Sequence, residues 1–201
     1  MKKIIATFLV ALLPSIALSE HLQPSSVTII PKLRYDKSRV VEIYGPIDDF
    51  LSHHAINRLK ALDKKKGQIT MLIDSPGGSI AAGAEIINAM ESLENPLVCL
   101  IQKDAFSMAA LISTACPKLY IHKFGLVMFH EASFTVGGTI DEIKHMLTVY
   151  KRFLHNFQAY IARKLGITVE ELEEREKENW WMNAEDAVKC GFARAIVERV
   201  D

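Results

Sequence analysis

Short runs of apolar and β-branched residues recur along the chain, and segments with helical periodicity separate them. One of these segments repeats Ala55, Leu59 and Leu62 at helical spacing after Ser52, a residue type that commonly caps helices. Because strands and helices alternate, we expect a single α/β domain over residues 20–201. The runs that predict strands are residues 27–30, 39–44, 69–74, 97–101, 119–122, 126–129 and 195–198.

The segment between residues 139 and 166 has the pattern of one long helix. Thr139 and Glu142 match a capping box, and Gly166 is placed to end the helix. The narrow apolar seam between them is compatible with packing along the same domain and with packing against a second copy in an oligomer. The seam consists of Ile143, Leu147, Tyr150, Leu154, Phe157 and Ile161.

A further helix is predicted directly after the long one. Thr168 and Glu171 match a second capping box. The acidic residues that follow, within 170–178, are interpreted as a solvated face.

The first nineteen residues have the features of a secretory signal peptide. Two lysines follow Met1, an uncharged apolar run covers residues 4–13, and small residues stand at Ala17 and Ser19. Ten residues rise only ~15 Å as a helix, about half the hydrocarbon thickness of a bilayer. We therefore predict cleavage after Ser19 and a periplasmic or secreted mature protein, with an uncleaved anchor or a buried helix as the alternatives.

Composition narrows the classes of function. The 24 basic and 24 acidic residues give a net charge of zero, which argues against a nucleic-acid partner. The seven histidines have no metal-ligand spacing, so we expect no metal and no cofactor. Export would place Cys99, Cys116 and Cys190 in an oxidising compartment. No spacing rule supports a bridge between Cys99 and Cys116, and a lone buried thiol is expected at each position.

Three segments carry candidate chemistry. Paired glycines at 77–78 lie between a strand and a helix, where they form an ordinary turn or direct an N–H at an anion. Ser107 follows a strand and begins a helix, either as its cap or as a nucleophile at a strand-to-helix turn, beside the Met108 N–H. His130 ends the strand at 126–129, where it is either a satisfied histidine or a base.

Together these segments resemble the ClpP family of serine peptidases, within the ClpP/crotonase fold. The resemblance runs from about Arg39 to Val200. It rests on Asp74-Ser75-Pro76-Gly77-Gly78-Ser79-Ile80-Ala81-Ala82-Gly83, Ala105-Phe106-Ser107-Met108-Ala109, Met128-Phe129-His130, Met182-Asn183-Ala184-Glu185-Asp186-Ala187 and Cys190-Gly191.

The resemblance implies a ββα superhelix with a protruding handle, at about residues 131–166, built from a strand at 132–138 and the long helix. It implies that residues 78–80 form a strand that pairs with an extended substrate. The site residues it implies are Ser107 as nucleophile, His130 as general base, Asn179 at the third triad position, Gly78 and Met108 as oxyanion-hole donors, and Ser79 and Ile80 as substrate-binding residues.

The sequence departs from the family pattern at several points. Asn179 stands where an Asp is usual; its amide can hold the histidine ring but adds no negative charge, and in a trypsin-type triad this change costs ~10⁴ in turnover. Ala109 replaces the usual Gly. An exported protein also has no ATP supply. We therefore expect an ATP-independent endopeptidase that cuts peptides or unfolded proteins as a homo-oligomer, in single or stacked rings, without an ATPase partner.

Three other functions remain open at this point. A Ser-Lys dyad would use Lys144 or Lys151 of the long helix as its base. A non-catalytic assembly protein of the same fold would explain Asn179. A crotonase-like acyl-CoA enzyme shares the paired N–H groups, but export and the placement of Ser107 and His130 argue against it.

Overall fold

The computed structural model describes residues 27–133 and 135–200, which form one eight-stranded sheet and six α-helices. The predicted signal peptide, residues 1–19, lies outside the described residues. The strands are β1 (Ile29–Ile30), β2 (Val40–Tyr44), β3 (Ile69–Ser75), β4 (Leu97–Phe106), β5 (Leu119–His122), β6 (Leu126–Phe129), β7 (Trp180–Asn183) and β8 (Ile196–Val197). The helices are α1 (Asp49–Asp63), α2 (Ile80–Glu91), α3 (Met108–Thr114), α4 (Ile140–Leu165), α5 (Val169–Lys177) and α6 (Ala184–Lys189). None of these helices has both the length and the apolar character needed to cross a membrane.

The sheet forks at β4. Its main path runs β1-β8-β5-β4-β3-β2 with parallel neighbours throughout. The first half of β4 pairs with β5, and its last three residues pair with β6, in the register Phe106 to Met128. Because β4 and β6 are parallel and end at the same level, the residues that follow them, Ser107 and His130, are placed close together.

The α/β class predicted from the sequence is confirmed. Seven predicted strands correspond to β1–β6 and β8, with ends that differ by up to five residues. The strand β7 was not predicted. It pairs antiparallel with β6, and Trp180 of β7 lies opposite Phe129, their ring centroids 5.4 Å apart. It has only four residues and is separated by two residues from an acidic helix, so its apolar run is too short to stand out in the sequence.

Apolar clusters cover both faces of the sheet. The larger cluster joins the helices to the sheet and includes Ile73 and Ile101. A smaller cluster on the other side contains Leu72, Leu100 and Val197, packed against residues near both ends of the described chain. Burial on both faces explains why β3 and the first half of β4 are almost continuously apolar.

The first helix begins four residues earlier than the sequence suggested. Asp48 is its cap and accepts a hydrogen bond from the Leu51 N–H at 2.8 Å. The predicted cap, Ser52, lies inside α1, fully buried, and its Oγ donates to Glu85 at 3.1 Å. Asp48 and Ser52 are both residue types that cap helices, and contacts distant in sequence decided between them.

The long helix α4 has the predicted ends. Thr139 and Glu142 form both halves of the capping box, and Gly166 ends the helix with φ of 70°. Only Ile161 and Ala162 of α4 are buried, so most of the apolar seam is at least partly open to solvent. The strand predicted at 132–138 is wrong for its described residues, 132–133 and 135–138, which belong to no strand. A strand needs a pairing partner, and no described strand pairs with this segment within the chain.

Cys99 and Cys116 form a disulfide, with their Cα atoms 6.2 Å apart, so the expectation of lone thiols at these positions is wrong. The register of β4 and β5 places Leu119 opposite Cys99 and brings Cys116, three residues earlier, beside the strand. Cys190 is a free cysteine, as expected, but it is exposed rather than buried.

Candidate active site

Ser107 occupies a tight turn between β4 and α3. Its backbone has φ of 54° and ψ of −122°, a conformation that is uncommon and strained for a residue with a side chain. The Ser107 N–H donates to the Met128 carbonyl at 2.8 Å, which ties the turn to β6. Its hydroxyl makes no capping hydrogen bond to α3, so the interpretation of Ser107 as an ordinary helix cap fails. The turn presents a hydroxyl at the start of a helix, as strand-to-helix nucleophile turns do.

Gly77 packs directly against this turn. Its φ is 91°, and a Cβ added there would lie 2.7 Å from the Ser107 Cβ and 2.9 Å from the Met108 nitrogen. The Gly77 N–H donates to Ser75 Oγ at 3.1 Å, and Ser75 in turn donates to the Gly45 carbonyl at 2.6 Å. Only glycine satisfies both the backbone conformation and the close approach.

Gly78 and Met108 leave their N–H groups without an acceptor among the described residues. Met108 is the first residue of α3, where a helix has no internal partner for this group. Such donors can receive the negative oxygen of an acyl-transfer intermediate. Their role as an oxyanion hole stays a prediction.

The strand predicted at residues 78–80 is not formed. Gly78 makes an isolated bridge with Ile47, and the Ser79 N–H donates to the Ile47 carbonyl at 2.7 Å. The Ser79 hydroxyl caps α2 by accepting from Ala82, and Ile80 is the first residue of that helix. The chain therefore turns into a helix where the sequence suggested an extended edge. The substrate-binding roles of Ser79 and Ile80 stay predictions.

A cavity of about 310 Å³ opens beside Ser107. Of the residues predicted for the site, it brings together Ser107, Met108, His130 and Ile80. Gly78, Ser79 and Asn179 do not line it. The described residues that line it are Ile80, Ser107, Met108, Leu111, Phe129, His130, Glu131, Ala132, Leu154, Phe157, Gln158, Ile161 and Glu176.

His130 is half-buried and shares this cavity with Ser107, but no hydrogen bond joins the two side chains in the described structure. Catalytic hydrogen bonds are often long before substrate binds and tighten only in the complex. The two alternative bases, Lys144 and Lys151, are exposed on α4 and do not line the cavity.

Asn179 lies just beyond the end of α5, with φ of 55°. Its backbone N–H donates to the Glu176 carbonyl at 3.1 Å. Its side chain is exposed and makes no hydrogen bond to the described residues. Its part in a triad stays a prediction.

Glu176 is a site residue that the sequence reasoning missed. It belongs to the acidic run interpreted as a solvated face, but only 6% of it is exposed and it lines the cavity. Burial raises the pKa of its carboxyl, and the nearby charges of Glu173 and Glu131 raise it further. Leu172, four residues earlier and fully buried, marks the same face of α5 and was the available signal.

Within the described residues, no group of three or more His, Cys, Asp or Glu side chains is arranged to hold a metal ion. The chemical groups that the site does offer are a hydroxyl, an imidazole, two N–H donors and a buried carboxyl.

Comparison with known proteins places this site in context. A sequence profile described as Clp protease matches residues 24–200. The chain is 30% identical over 164 residues to the ATP-dependent Clp protease proteolytic subunit 2 of Tropheryma whipplei, covering 80% of this chain and 91% of the relative. It is 24% identical over 172 residues to ATP-dependent Clp protease proteolytic subunits of Streptococcus equi subsp. equi and Streptococcus pyogenes serotype M1, covering 81% of this chain and 86% of each relative. The profile match includes every residue of the cavity.

Proposed function

The chain belongs to the Clp protease family and is a ClpP-like serine peptidase in general character, and we propose that it is an exported endopeptidase that works without ATP. The observation that carries the proposal is the Ser107 turn. The Ser107 hydroxyl makes no capping hydrogen bond to α3, and Ser107 and His130 line the same cavity. The N–H groups of Gly78 and Met108, which have no acceptor among the described residues, belong to the residue after Gly77 and to the residue after Ser107.

The proposed mechanism follows from these groups. His130 takes the proton of the Ser107 hydroxyl as Oγ attacks a peptide carbonyl, and returns that proton to the leaving amine. The N–H groups of Gly78 and Met108 receive the developing negative charge, each contributing on the order of 3 kcal/mol at the transition state. Water then hydrolyses the acyl-enzyme, with His130 again acting as the base. Asn179 would hold the imidazole without stabilising its charge.

Assembly into a homo-oligomer is part of the proposal. Large apolar side chains of α4 stand open to solvent: Val149 is 56% exposed, and Phe153, four residues further along and therefore on the same face, is 41% exposed. A second copy that covers this face would bury them. His130 is joined to α4 by the short segment 131–139, so docking of the helix would also fix the position of the base. We expect the hydrogen bond between His130 and Ser107 to form in the assembled state.

Export is supported by two independent features. Residues 1–19 have the pattern of a signal peptide, and Cys99 and Cys116 are joined in a disulfide of the kind that persists in oxidising compartments. ATP is not supplied there, so degradation would act on peptides and unfolded chains directly. Export and cleavage are tested by fractionating the cells that produce the protein and by measuring the intact mass of the purified protein by mass spectrometry. We expect a periplasmic or secreted protein that begins at Glu20, and a full-length cytoplasmic product would contradict it.

Labelling with a fluorophosphonate probe tests the nucleophile. We expect the wild-type protein to be labelled, Ser107→Ala to be unlabelled, and Ser113→Ala, on the same helix, to react like the wild type. Loss of labelling and of peptide hydrolysis in His130→Ala identifies the base, whereas full activity in that variant with loss in Lys144→Ala or Lys151→Ala would establish the dyad instead. A wild-type oligomer that neither reacts with the probe nor cleaves peptides would point to a non-catalytic assembly protein.

A further inference from the structure

The cavity beside Ser107 has the size and the walls of a pocket for one side chain. Its volume of about 310 Å³ is at the lower end of the ~300–1,000 Å³ that small-molecule pockets span. Leu111 of α3 and Leu154 and Phe157 of α4 supply apolar wall. A substrate whose carbonyl lies at Ser107 would therefore place a neighbouring side chain against these residues.

The wall of the same cavity also contains a buried carboxyl group, that of Glu176. Glu176 is almost fully buried, and its Oε2 accepts from Gln158 Nε2 at 3.0 Å. Gln158 is the only donor to this carboxyl among the described residues, although an ionised carboxylate has about four acceptor positions. Its other oxygen is therefore available to a ligand.

The charges around Glu176 favour a cation. Glu131 also lines the cavity, and among the described residues His130 is the only basic side chain in its lining. Lys177, the neighbouring cation on α5, is turned to Glu174 at 3.0 Å, and Arg175 is paired with Glu171. A buried carboxylate with one hydrogen bond and like charges nearby is destabilised unless a positive group completes it.

We propose that this cavity is a specificity pocket for a long aliphatic side chain with a cationic end, so that the enzyme prefers to cleave after lysine or arginine. The proposal rests on the proposed peptidase function. The apolar walls contact the methylene stem, and Glu176 pairs with the ammonium or guanidinium head. Gln158 holds the carboxylate in place through the hydrogen bond described above.

Fluorogenic peptides that differ only in the residue before the scissile bond test the proposal without any mutation. Norleucine has almost the shape of lysine but no charge, so the ratio of the two isolates the head group. We expect kcat/KM for lysine to exceed that for norleucine by about 10- to 100-fold, the range for a hydrogen bond to a buried charged group. A ratio of one or less would overturn the proposal.

The variant Glu176→Gln keeps the shape of the side chain and removes its charge. We expect the preference for lysine over norleucine to disappear, because the charge that pairs with the lysine head group is gone. The control is Glu174→Gln, an exposed position on the same helix, which should keep the wild-type ratio. Circular dichroism confirms that both variants are folded, and an unchanged ratio in Glu176→Gln would also overturn the proposal.

A binding experiment separates failure of the pocket from failure of catalysis. The affinity of Ser107→Ala for acetylated tripeptides that end in lysine or norleucine is measured by calorimetry, with and without Glu176→Gln. Selective binding of lysine that requires Glu176 supports the pocket even if the wild-type protein proves to be inactive. Equal binding of the two peptides overturns it, even if the protein is an active peptidase.

Discussion

The close approach of Gly77 to Ser107 predicts that a side chain at position 77 displaces the nucleophile. A matched variant separates this displacement from the cost of backbone strain alone. In Gly77→Ala, the new Cβ begins 2.5 Å from the Phe106 carbonyl oxygen and 2.7 Å from the Ser107 Cβ, and an ordinary contact begins at about 3.4 Å. The turn that carries the nucleophile must therefore move by about 0.7–0.9 Å, because the Phe106 oxygen belongs to the backbone and the Ser107 Cβ is bonded directly to it. Misplacement of about 1 Å costs on the order of 10²-fold in rate. We expect fluorophosphonate labelling of Ser107 to slow by about that factor.

Gly45→Ala is the matched control. Gly45 has φ of 78°, similar to Gly77, but a Cβ there meets nothing within 4 Å. Each variant bears the cost of a side chain at positive φ, about 1–2 kcal/mol. Only Gly77→Ala adds overpacking, typically about 1–3 kcal/mol. Gly45→Ala should lose stability alone and keep the labelling rate of the wild type.

Two measurements decide the matter: the pseudo-first-order rate of labelling, and the free energy of unfolding from urea titration. If Gly77→Ala reacts with the probe as fast as Gly45→Ala and is equally stable, the turn is not held by this contact. The account of Gly77 as the support of the nucleophile would then be refuted.

Three further predictions concern stability. The disulfide between Cys99 and Cys116 closes a loop with a sequence separation of 17. Its removal in Cys99→Ala/Cys116→Ala should lower the free energy of unfolding, measured by urea titration without reductant, by about 3 kcal/mol. The control Cys190→Ala should change that free energy by less than about 0.5 kcal/mol. Burial raises the pKa of Glu176 above its ordinary 4.5, so the folded protein holds this proton more tightly than the unfolded chain. The wild-type protein therefore loses stability as the pH rises from the unfolded-state pKa of this carboxyl to its higher folded-state pKa. Glu176→Gln should match the wild type near pH 4 and be more stable than the wild type near pH 8, and equal stability of the two proteins at both pH values would contradict this reasoning. Arg39 donates through Nη2 to the Leu62, Lys65 and Gly67 carbonyls at 2.8–3.0 Å. Arg39→Ala should therefore lower the free energy of unfolding, measured by urea titration, by about 1–2 kcal/mol. A decrease of less than about 0.5 kcal/mol would show that these hydrogen bonds do not stabilise the fold.

Much of the site was predictable because its parts lie at the ends of parallel strands. Ser107 follows β4 and His130 follows β6, and strands that run in the same direction end at the same edge of a sheet. The capping box of Thr139 and Glu142 and the terminal Gly166 were also readable, since each depends on hydrogen bonds to residues no more than four or five positions away.

Other features required the fold. Glu176 carries the same charge as its neighbours in the acidic run, and only the packing of α5 against α4 and the site selects it for burial. The backbone of Ile47, some thirty positions earlier in the chain, donates to the Gly77 carbonyl and accepts from the Ser79 N–H. Residues 77–79 therefore pair with Ile47 and lead into α2, where an extended strand was expected. Cys116 reaches Cys99 only through the register of β5 on β4.

The sequence by itself determined the alternation of strands and helices, the ends of the long helix, and the order in which a serine and a histidine follow two strands. Each of these depends on hydrogen bonds and periodicities that span a few residues. The tertiary structure decided which acidic side chain is buried beside the nucleophile, which cysteines pair, and what holds the glycine turn against Ser107. These outcomes depend on contacts between segments far apart in the chain, and no local pattern records which segments will meet.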